Sequence, residues 1–348
     1  MQACHYQEFK KQPEVLTVPD PTISDDAVLI KVEAAGICLS DWHGWQGHDP
    51  DIQLPHVPGH EFAGVILECG KKVEKFRPGQ RVTVPFVGGC GKCRYCENGN
   101  PQVCPDQFQA GFTHWGCFAE FVEIKFADFN LVELPANIHF TEAASLGCRF
   151  ATAFRAIKDQ AKVTAGQWVA IHGCGGVGLS ALMICKALGA HVVAIDPNQG
   201  ALERSNMLGA DLLISELNIE AITTQLEENI GRRVDVSIDA YGSEKSAINS
   251  IHSLDRRGKH IQVGLVTNEN GLQNFPMSKV IAHELEIIGS HGIQASRYET
   301  MLDFLLEHNI DLTKLISDTC SLTESIDYLI NMERSDSHGM NIITRFTE

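Results

Sequence analysis

The chain has 348 residues, 28 basic and 44 acidic, for a formal net charge of −16 with histidine neutral. That length is about two domains' worth and buries a full core without disulfides. An acidic balance of this size repels phosphate backbones and anionic bilayers, so neither nucleic acid nor a membrane surface is an expected partner. With 44% apolar and 21% charged residues, whole-chain disorder is excluded as well.

The opening MQACHYQEFKKQPEV lacks the apolar run of a secretory signal, and a cytoplasmic protein is expected. Over the first 150 residues, short β-like runs (AVLIKVEAAG, EFAGVILECG, QRVTVPF, CFAEFVEI) are punctuated by proline and glycine. From Gln167 the text alternates. QWVAIHG, HVVAID, DLLIS, VDVSIDA, KHIQVGL and LEIIGS read as strands. VGLSALMICKALG, NQGALERSNMLG, IEAITTQLEENIG and SEKSAINSIHSL read as helices between them. Six strands with helical links predict an α/β fold with a doubly wound parallel sheet. No charge falls between Lys162 and Lys186, but Gly166, Gly173, Gly175, Gly176 and Gly178 break that span into a buried strand and a buried helix. Beyond about residue 292, MLDFLLEHNI and ESIDYLINM read as helices and MNIITRF as a strand. No internal repeat or low-complexity tract is present.

Three constellations carry chemistry. GCGGVG (Gly173, Gly175, Gly176, Val177 and Gly178 about Cys174) lies between a strand and a helix, and HVVAID ends 18 residues later in Asp196. Glycines let a backbone approach a pyrophosphate, a helix N-terminus offers it free N–H groups, and an acid after the second strand accepts from ribose hydroxyls. Asp196 would repel a 2′-phosphate, and Pro197, Asn198 and Gln199 supply no cation, so NAD is favoured over NADP. A ligand-free glycine turn is the plainer alternative. Cys90, Cys93, Cys96 and Cys104 crowd into fifteen residues, with Gly91, Asn98, Gly99 and Asn100 for tight turns. Four thiolates so spaced suit a closed, structural zinc site; redox cysteines or an iron–sulfur cluster are the alternatives. The third set is dispersed: Cys38, Ser40, Asp41 and His43 in GICLSDWHGWQG, His60 and Glu61 in PHVPGHE, and Cys148 in SLGCRF. Cys38, His60 and Cys148 would leave a zinc one open position, although His43, His48 and His56 compete with His60 on spacing alone.

GICLSDWH, PGHEFAG, CGKCRYC…C, the GC before RFATAF, and GCGGVG occur together and in order. In this the whole chain resembles the zinc-dependent alcohol dehydrogenases of the medium-chain dehydrogenase/reductase family. The resemblance implies a GroES-like catalytic domain over 1–149 with a structural zinc lobe at about 88–106. It also implies a Rossmann NAD-binding domain over 150–291 and a return of 292–348 to the first domain. It implies two Zn2+ per subunit: a catalytic ion on Cys38, His60 and Cys148, and a structural ion on Cys90, Cys93, Cys96 and Cys104. Further roles follow from the same resemblance. Glu61 is the acid able to approach the metal, Asp41 orients the ligand histidine, Ser40 hydrogen-bonds the substrate alcohol, and His43 is the outer member of a proton relay. Thr152 and the backbone of Val263, Gly264 and Leu265 lie near the nicotinamide. The implied reaction takes a small-molecule alcohol, of whatever size, to its aldehyde or ketone with hydride transfer to NAD, or runs in reverse, in a cleft that closes against water. A homotetramer, or a dimer, is implied by chain length.

Other features of the sequence refine this. Sorbitol- and threonine-type relatives carry glutamate where this chain has Cys148, which favours the alcohol branch over a polyol or amino-alcohol dehydrogenase. A non-catalytic nucleotide sensor would be expected to lose Ser40, His43 or a ligand, and all are present; a purely zinc-binding interaction module leaves GCGGVG and Asp196 unexplained. The arginine that relatives place near the C-terminal strand for the pyrophosphate is missing: Met340 or Asn341 stands there and Arg345 comes late. Phe86, Phe112 and Trp115 are candidate pocket rings, favouring a bulky or aromatic alcohol. Cys4, Cys69, Cys117, Cys174, Cys185 and Cys320 have no assigned role.

Overall fold

The computed structural model describes residues 1–266, 272–332 and 339–347. They fall into two compact units. One gathers Met1–Ala151, Gly292–Phe304 and Asp311–Glu348, the other Thr152–His291 and Leu305–Ile310. No described helix is long and apolar enough to cross a membrane.

The first unit begins with β1 (Gln2–His5) and β2 (Glu14–Thr17), an antiparallel pair. Next come β3 (Val28–Gly36), β4 (Glu61–Cys69), β5 (Arg81–Thr83), β6 (Phe121–Ile124) and β7 (Val132–Glu133). Along β3, Val28, Ile30 and Val32 point into the core while Lys31 faces out, the two-residue period of a half-buried strand. They pack with Phe62, Ile66, Phe118, Val122 and Ile124. Each such side chain taken from water contributes about 1.5–3 kcal/mol. Two of the β-like runs form only short strands, QRVTVPF three residues and CFAEFVEI four. Pro85 cannot donate to a ladder. Gly116, Cys117 and Phe118 give their N–H groups to the carbonyls of Val57, Gly59 and Pro58 instead.

The second unit is a parallel sheet of β8 (Trp168–His172), β9 (His191–Ile195), β10 (Leu212–Ile214), β11 (Val234–Asp239), β12 (Leu254–Gln262) and β13 (Glu286–Gly289). Its order is β10-β9-β8-β11-β12-β13. Central strands β8 and β9 are apolar and buried nearly throughout, as strands covered on both faces must be. Linking helices span Gly176–Ala187, Gln199–Met207, Ile219–Ile230 and Glu244–His252; Asn198, Asn218 and Ser243 cap the last three through their side chains. The winding reverses between β8 and β11, whose ends His172 and Asp239 lie in register. A switch point of this kind opens the crevice where such sheets bind ligands.

After the second unit the chain supplies β14 (Ile316–Ser321) and β15 (Met340–Arg345) to the first. The first unit's large sheet then runs β14-β15-β3-β4-β5-β7, with β6 also on β3.

Candidate functional site

At the end of β3 the chain enters the helix Leu39–Trp45, and Cys38 is its N-cap in extended conformation. Cys38 N–H donates to Asp41 Oδ2 at 2.9 Å, so the helix start fixes Asp41. Asp41 Oδ1 in turn accepts from His60 Nδ1 at 2.9 Å and from Gly59 N–H at 3.1 Å. A carboxylate only accepts, so Nδ1 carries a proton and Nε2 is the ring nitrogen left to face the thiols, where a bound metal would take its lone pair. That atom is buried without a hydrogen-bond partner. Ligand atoms of Cys38, His60 and Cys148 all lie within 4.8 Å of one another.

The charges around this group interlock. Cys148 shares a hydrogen bond with Cys38, which, against burial and with help from Arg149 and His60, holds the Cys38 thiol well below its ordinary range. The same hydrogen bond, reinforced by burial, pushes Cys148 up. Burial works to lower His60, but the charge and hydrogen bond of Asp41 outweigh it and raise the imidazole. Two sulfurs and a buried, unpaired imidazole nitrogen make a soft donor set that fits zinc.

Arg149, which the sequence reading passed over, sits directly beneath. Its Nε is 2.9 Å from Glu61 Oε2, and its guanidinium also donates to Ile37 O. Glu61 Oε1 accepts the backbone N–H groups of Cys148 (3.2 Å) and Arg149 (2.8 Å). Burial raises the Glu61 carboxyl to about 7 against the pull of Arg149. Tyr298, also unforeseen, donates its hydroxyl to Leu146 O at 2.9 Å and ties down the same loop. The one sequence signal for Arg149 was a cation directly after a cysteine in an otherwise apolar run.

Ser40 Oγ lies 3.8 Å from Cys38 Sγ. His43 does not join the Cys38–His60–Cys148 group; its Nδ1 is 3.0 Å from His48 Nδ1. His56 is also apart, its Nε2 donating to Gly111 O at 2.9 Å. Phe86 and Phe112 face His60, ring centroids 6.1 and 5.0 Å away. Trp115 corrects the expectation of a third pocket ring. It stands edge-on to His5 at 5.7 Å, donates Nε1–H to Pro55 O, and lines a separate cavity of about 350 Å3 with Met1, Pro19, Pro21 and Thr22. The three residues that follow it, 116–118, bond to the backbone of 57–59. Trp42 packs on His43, and Trp45 is buried with its N–H on Lys11 O. Arg345 pairs with Glu324, while Met340 and Asn341 are buried in β15.

The four clustered cysteines bring their sulfurs within 4.8 Å of one another, Cys93 to Cys96 at 3.5 Å and Cys93 to Cys104 at 3.7 Å. A one-turn helix, Arg94–Glu97, and glycines 91 and 99 at positive φ fold the strand of thiols inward. This second donor set fits a closed four-sulfur zinc site. The remaining thiols Cys4, Cys117, Cys174, Cys185 and Cys320 are buried and Cys69 is half-buried. Burial pushes Cys4, Cys174 and Cys320 up to about 12, so they act as inert filling.

In the second unit the glycine loop follows β8 at the switch point. Gly173 has φ +93°, and a Cβ on Gly178 would meet Gly173 O at 1.9 Å; both glycines are demanded by the fold. Gly175 is different. It is exposed, and a Cβ there would meet nothing within 4 Å. The protein itself gives no reason for this glycine, whereas a pyrophosphate laid on the start of the Gly176–Ala187 helix, which has no side-chain cap, does. Gly176 and Val177 form its first turn. Asp196 Oδ2 accepts from Cys174 N–H (2.8 Å) and Oδ1 from Asn198 N–H (2.9 Å), fixing the carboxylate beside the loop. Val263 and Gly264 donate their N–H groups to Asp239 O, and Leu265 is exposed. Thr152 is buried with its hydroxyl unpaired. NAD fits these residues.

Comparison with known proteins agrees. The sequence model for the alcohol dehydrogenase GroES-like domain matches residues 24–136, and that for zinc-binding dehydrogenases matches residues 176–307. An alcohol dehydrogenase of Geobacillus stearothermophilus is 35% identical over 345 residues, 99% of each chain. A sorbitol dehydrogenase of Bacillus subtilis (strain 168) is 31% identical over 322 residues, 91% of this chain and 89% of that one. The solved alcohol dehydrogenase from Thermus sp. ATN1 superposes with a TM-score of 0.89 at 26% identity, covering 99% of this chain and all of the other. A GroES-like domain, a Rossmann sheet and full-length relatives of one kind together mean that the chain belongs to the zinc-dependent alcohol dehydrogenases of the medium-chain dehydrogenase/reductase family.

Proposed function

We propose that this chain oxidises a ring-bearing or otherwise bulky alcohol to its aldehyde or ketone with hydride transfer to NAD, and catalyses the reverse. The observation that carries the reading is the buried, unpaired Nε2 of His60, aimed by Asp41 among two thiols. Cys38, His60 and Cys148 would hold the catalytic zinc, and Cys90, Cys93, Cys96 and Cys104 a structural one. Zinc at the first site supplies Lewis acidity that makes a substrate hydroxyl a stronger acid.

The remaining roles belong to the chain. Ser40 takes the hydroxyl proton and His43 carries it outward. Asp41 keeps the His60 tautomer fixed. Glu61 and Arg149 hold the backbone at Cys148 so that its sulfur keeps its place. Phe86 and Phe112 keep water away and offer ring faces to the substrate. The N–H groups about Gly175 bind the pyrophosphate, Asp196 binds the ribose hydroxyls, and Thr152 with the backbone of Val263 and Leu265 serves the nicotinamide. The polyol reading has the Bacillus subtilis sorbitol dehydrogenase in its favour. Against it stand Cys148 and two phenyl rings beside His60. A cytoplasmic homotetramer, as the family resemblance implies, completes the proposal.

The test is NADH formation at 340 nm by zinc-loaded protein on ethanol, benzyl alcohol, cinnamyl alcohol and sorbitol. Turnover is expected to be strongest on the aromatic alcohols. Turnover on sorbitol alone would replace this reading with the polyol one, and NAD binding without any turnover would sink both.

A further inference from the structure

The helix Leu39–Trp45 ends as its sequence requires. Gln46 is its C-cap and Gly47 follows at φ +78°. Gly47 N–H then donates to Gly44 O at 2.9 Å, and His48 N–H reaches back to His43 O at 3.0 Å. This paired stop, built on a left-handed glycine, sets the third residue from the helix end against the second residue past the cap. An apolar pair usually fills that contact. Here two imidazoles fill it, with Nδ1 to Nδ1 at 3.0 Å. The Trp42 ring stands edge-on to both, with centroids 5.0 Å from His43 and 5.9 Å from His48. Of two ring nitrogens at that distance, one donates and the other accepts. Exposure rises along the way out: Cys38 and His60 are buried, Ser40 and His43 half-buried, His48 exposed.

We propose that His48 is the group that delivers the reaction's proton to water, acting through His43. The step rests on the function proposed above, in which His43 carries the alcohol's proton outward. His43 gains a proton at Nε2 while its Nδ1–H bond breaks; that proton forms an N–H bond at His48 Nδ1, and the Nε2–H of His48 passes to water or a buffer base. One proton enters and one leaves, no electrons move, and both rings are neutral before and after. The next cycle begins once both tautomers are reset: His48, which is exposed, exchanges its proton with water, and the half-buried His43 gives up its Nε2 proton and regains one at Nδ1 by its own exchange with water or by a turn of its ring. His48 touches neither substrate nor cofactor, so it is a proton-carrying and positioning residue rather than a catalytic one.

The test compares the parent zinc enzyme with His48→Gln, which keeps a hydrogen-bonding side chain and cannot carry a proton, and with His48→Ala, which opens space for a small base. In dilute, poorly basic buffer both are expected to turn over about tenfold more slowly, a part of the 100- to 10,000-fold that proton transfer contributes. Stopped-flow pH-indicator traces should show proton release slowed to the same extent. Added imidazole should restore His48→Ala, while NADH affinity by fluorescence and the melting temperature match the parent. Unchanged turnover, a loss that imidazole does not relieve, or a loss matched by weaker NADH binding would each overturn the proposal. So would a His43→Gln variant as fast as the parent, because nothing would then arrive at His48. A parent that oxidises no alcohol would instead mark the failure of the underlying function, and is recognised before any variant is compared.

Discussion

Cys90, Cys93, Cys96 and Cys104 come from fifteen consecutive residues and are gathered by one helical turn and two left-handed glycines. Cys38, His60 and Cys148 arrive from three separate stretches, and His60 and Cys148 are held by residues distant in sequence. Cys38 is held by a helix start, His60 by Asp41, and Cys148 by Glu61, Arg149 and the Tyr298 hydroxyl on its loop. A local cluster can close around a metal almost by itself, and the metal then holds the local fold together. A dispersed cluster is made by the domain, so its geometry is paid for by packing elsewhere, and a zinc on its three donors would keep a fourth position for chemistry. The comparison teaches that loss of a ligand should mean different things at the two places.

The largest effect should follow from removing a dispersed ligand. His60→Ala or Cys148→Ser is expected to lower alcohol turnover by at least about 1,000-fold, the scale of losing electrostatic stabilisation at the reacting centre. Metal content by plasma mass spectrometry should fall by one ion per chain, with NADH affinity kept. A variant that lost both ions would break the comparison, because the two sites would then not be independent.

Cys96→Ser should act through stability instead. The 88–106 segment is expected to become protease-sensitive, and the melting temperature to fall by on the order of 10 °C, the size of losing a few kcal/mol. Turnover measured well below the new midpoint should drop far less than for His60→Ala. Equal losses in both variants would contradict the division.

Acid should weaken the first unit through His56. Burial lowers His56 to about 4 from an ordinary 6.5, while its ring donates to Gly111 O beside Gly59. A histidine whose folded pKa is lowered favours the fold fully above 6.5. Its contribution is lost as pH falls from 6.5 towards 4, where the unfolded chain binds the extra proton. At most about 3 kcal/mol is at stake. His56→Gln should flatten the acid limb of stability measured by urea unfolding between pH 7 and 4; an unchanged limb would remove His56 from the account.

The smallest effect is expected at Gly47. Alanine there must adopt φ +78° and meet the Phe9 ring, at a cost of about 1 kcal/mol, read as a shift of a few degrees in melting. The same variant should disturb the His43–His48 pair, and so reduce turnover by more than the stability change alone would suggest.

Much of this was legible because its signals are local or periodic. GCGGVG, the cysteine spacing and the six alternating strands each fit within a window where chain connectivity fixes geometry. Spacing left His43, His48, His56 and His60 in competition because the distinction between them lies in distant partners. His56 finds Gly111, His43 and His48 find each other, and His60 alone turns a bare nitrogen towards two thiols. Arg149 was missed for the same reason, since its meaning depends on Glu61, 88 residues earlier. Trp115 stands on His5 and Pro55 instead of beside His60, partners that its place near a motif in sequence does not reveal.

Gly175 and Gly178 separate two kinds of selection within one loop. A library of variants sorted only for folded, expressed protein should reject side chains at 178, where a Cβ runs into Gly173 O, and accept them at 175, where it meets open space. Only growth that depends on the cofactor would hold 175 at glycine. The ratio of substitutions tolerated at these two positions therefore reports whether a lineage still uses the nucleotide, long after its stability has ceased to say anything about it.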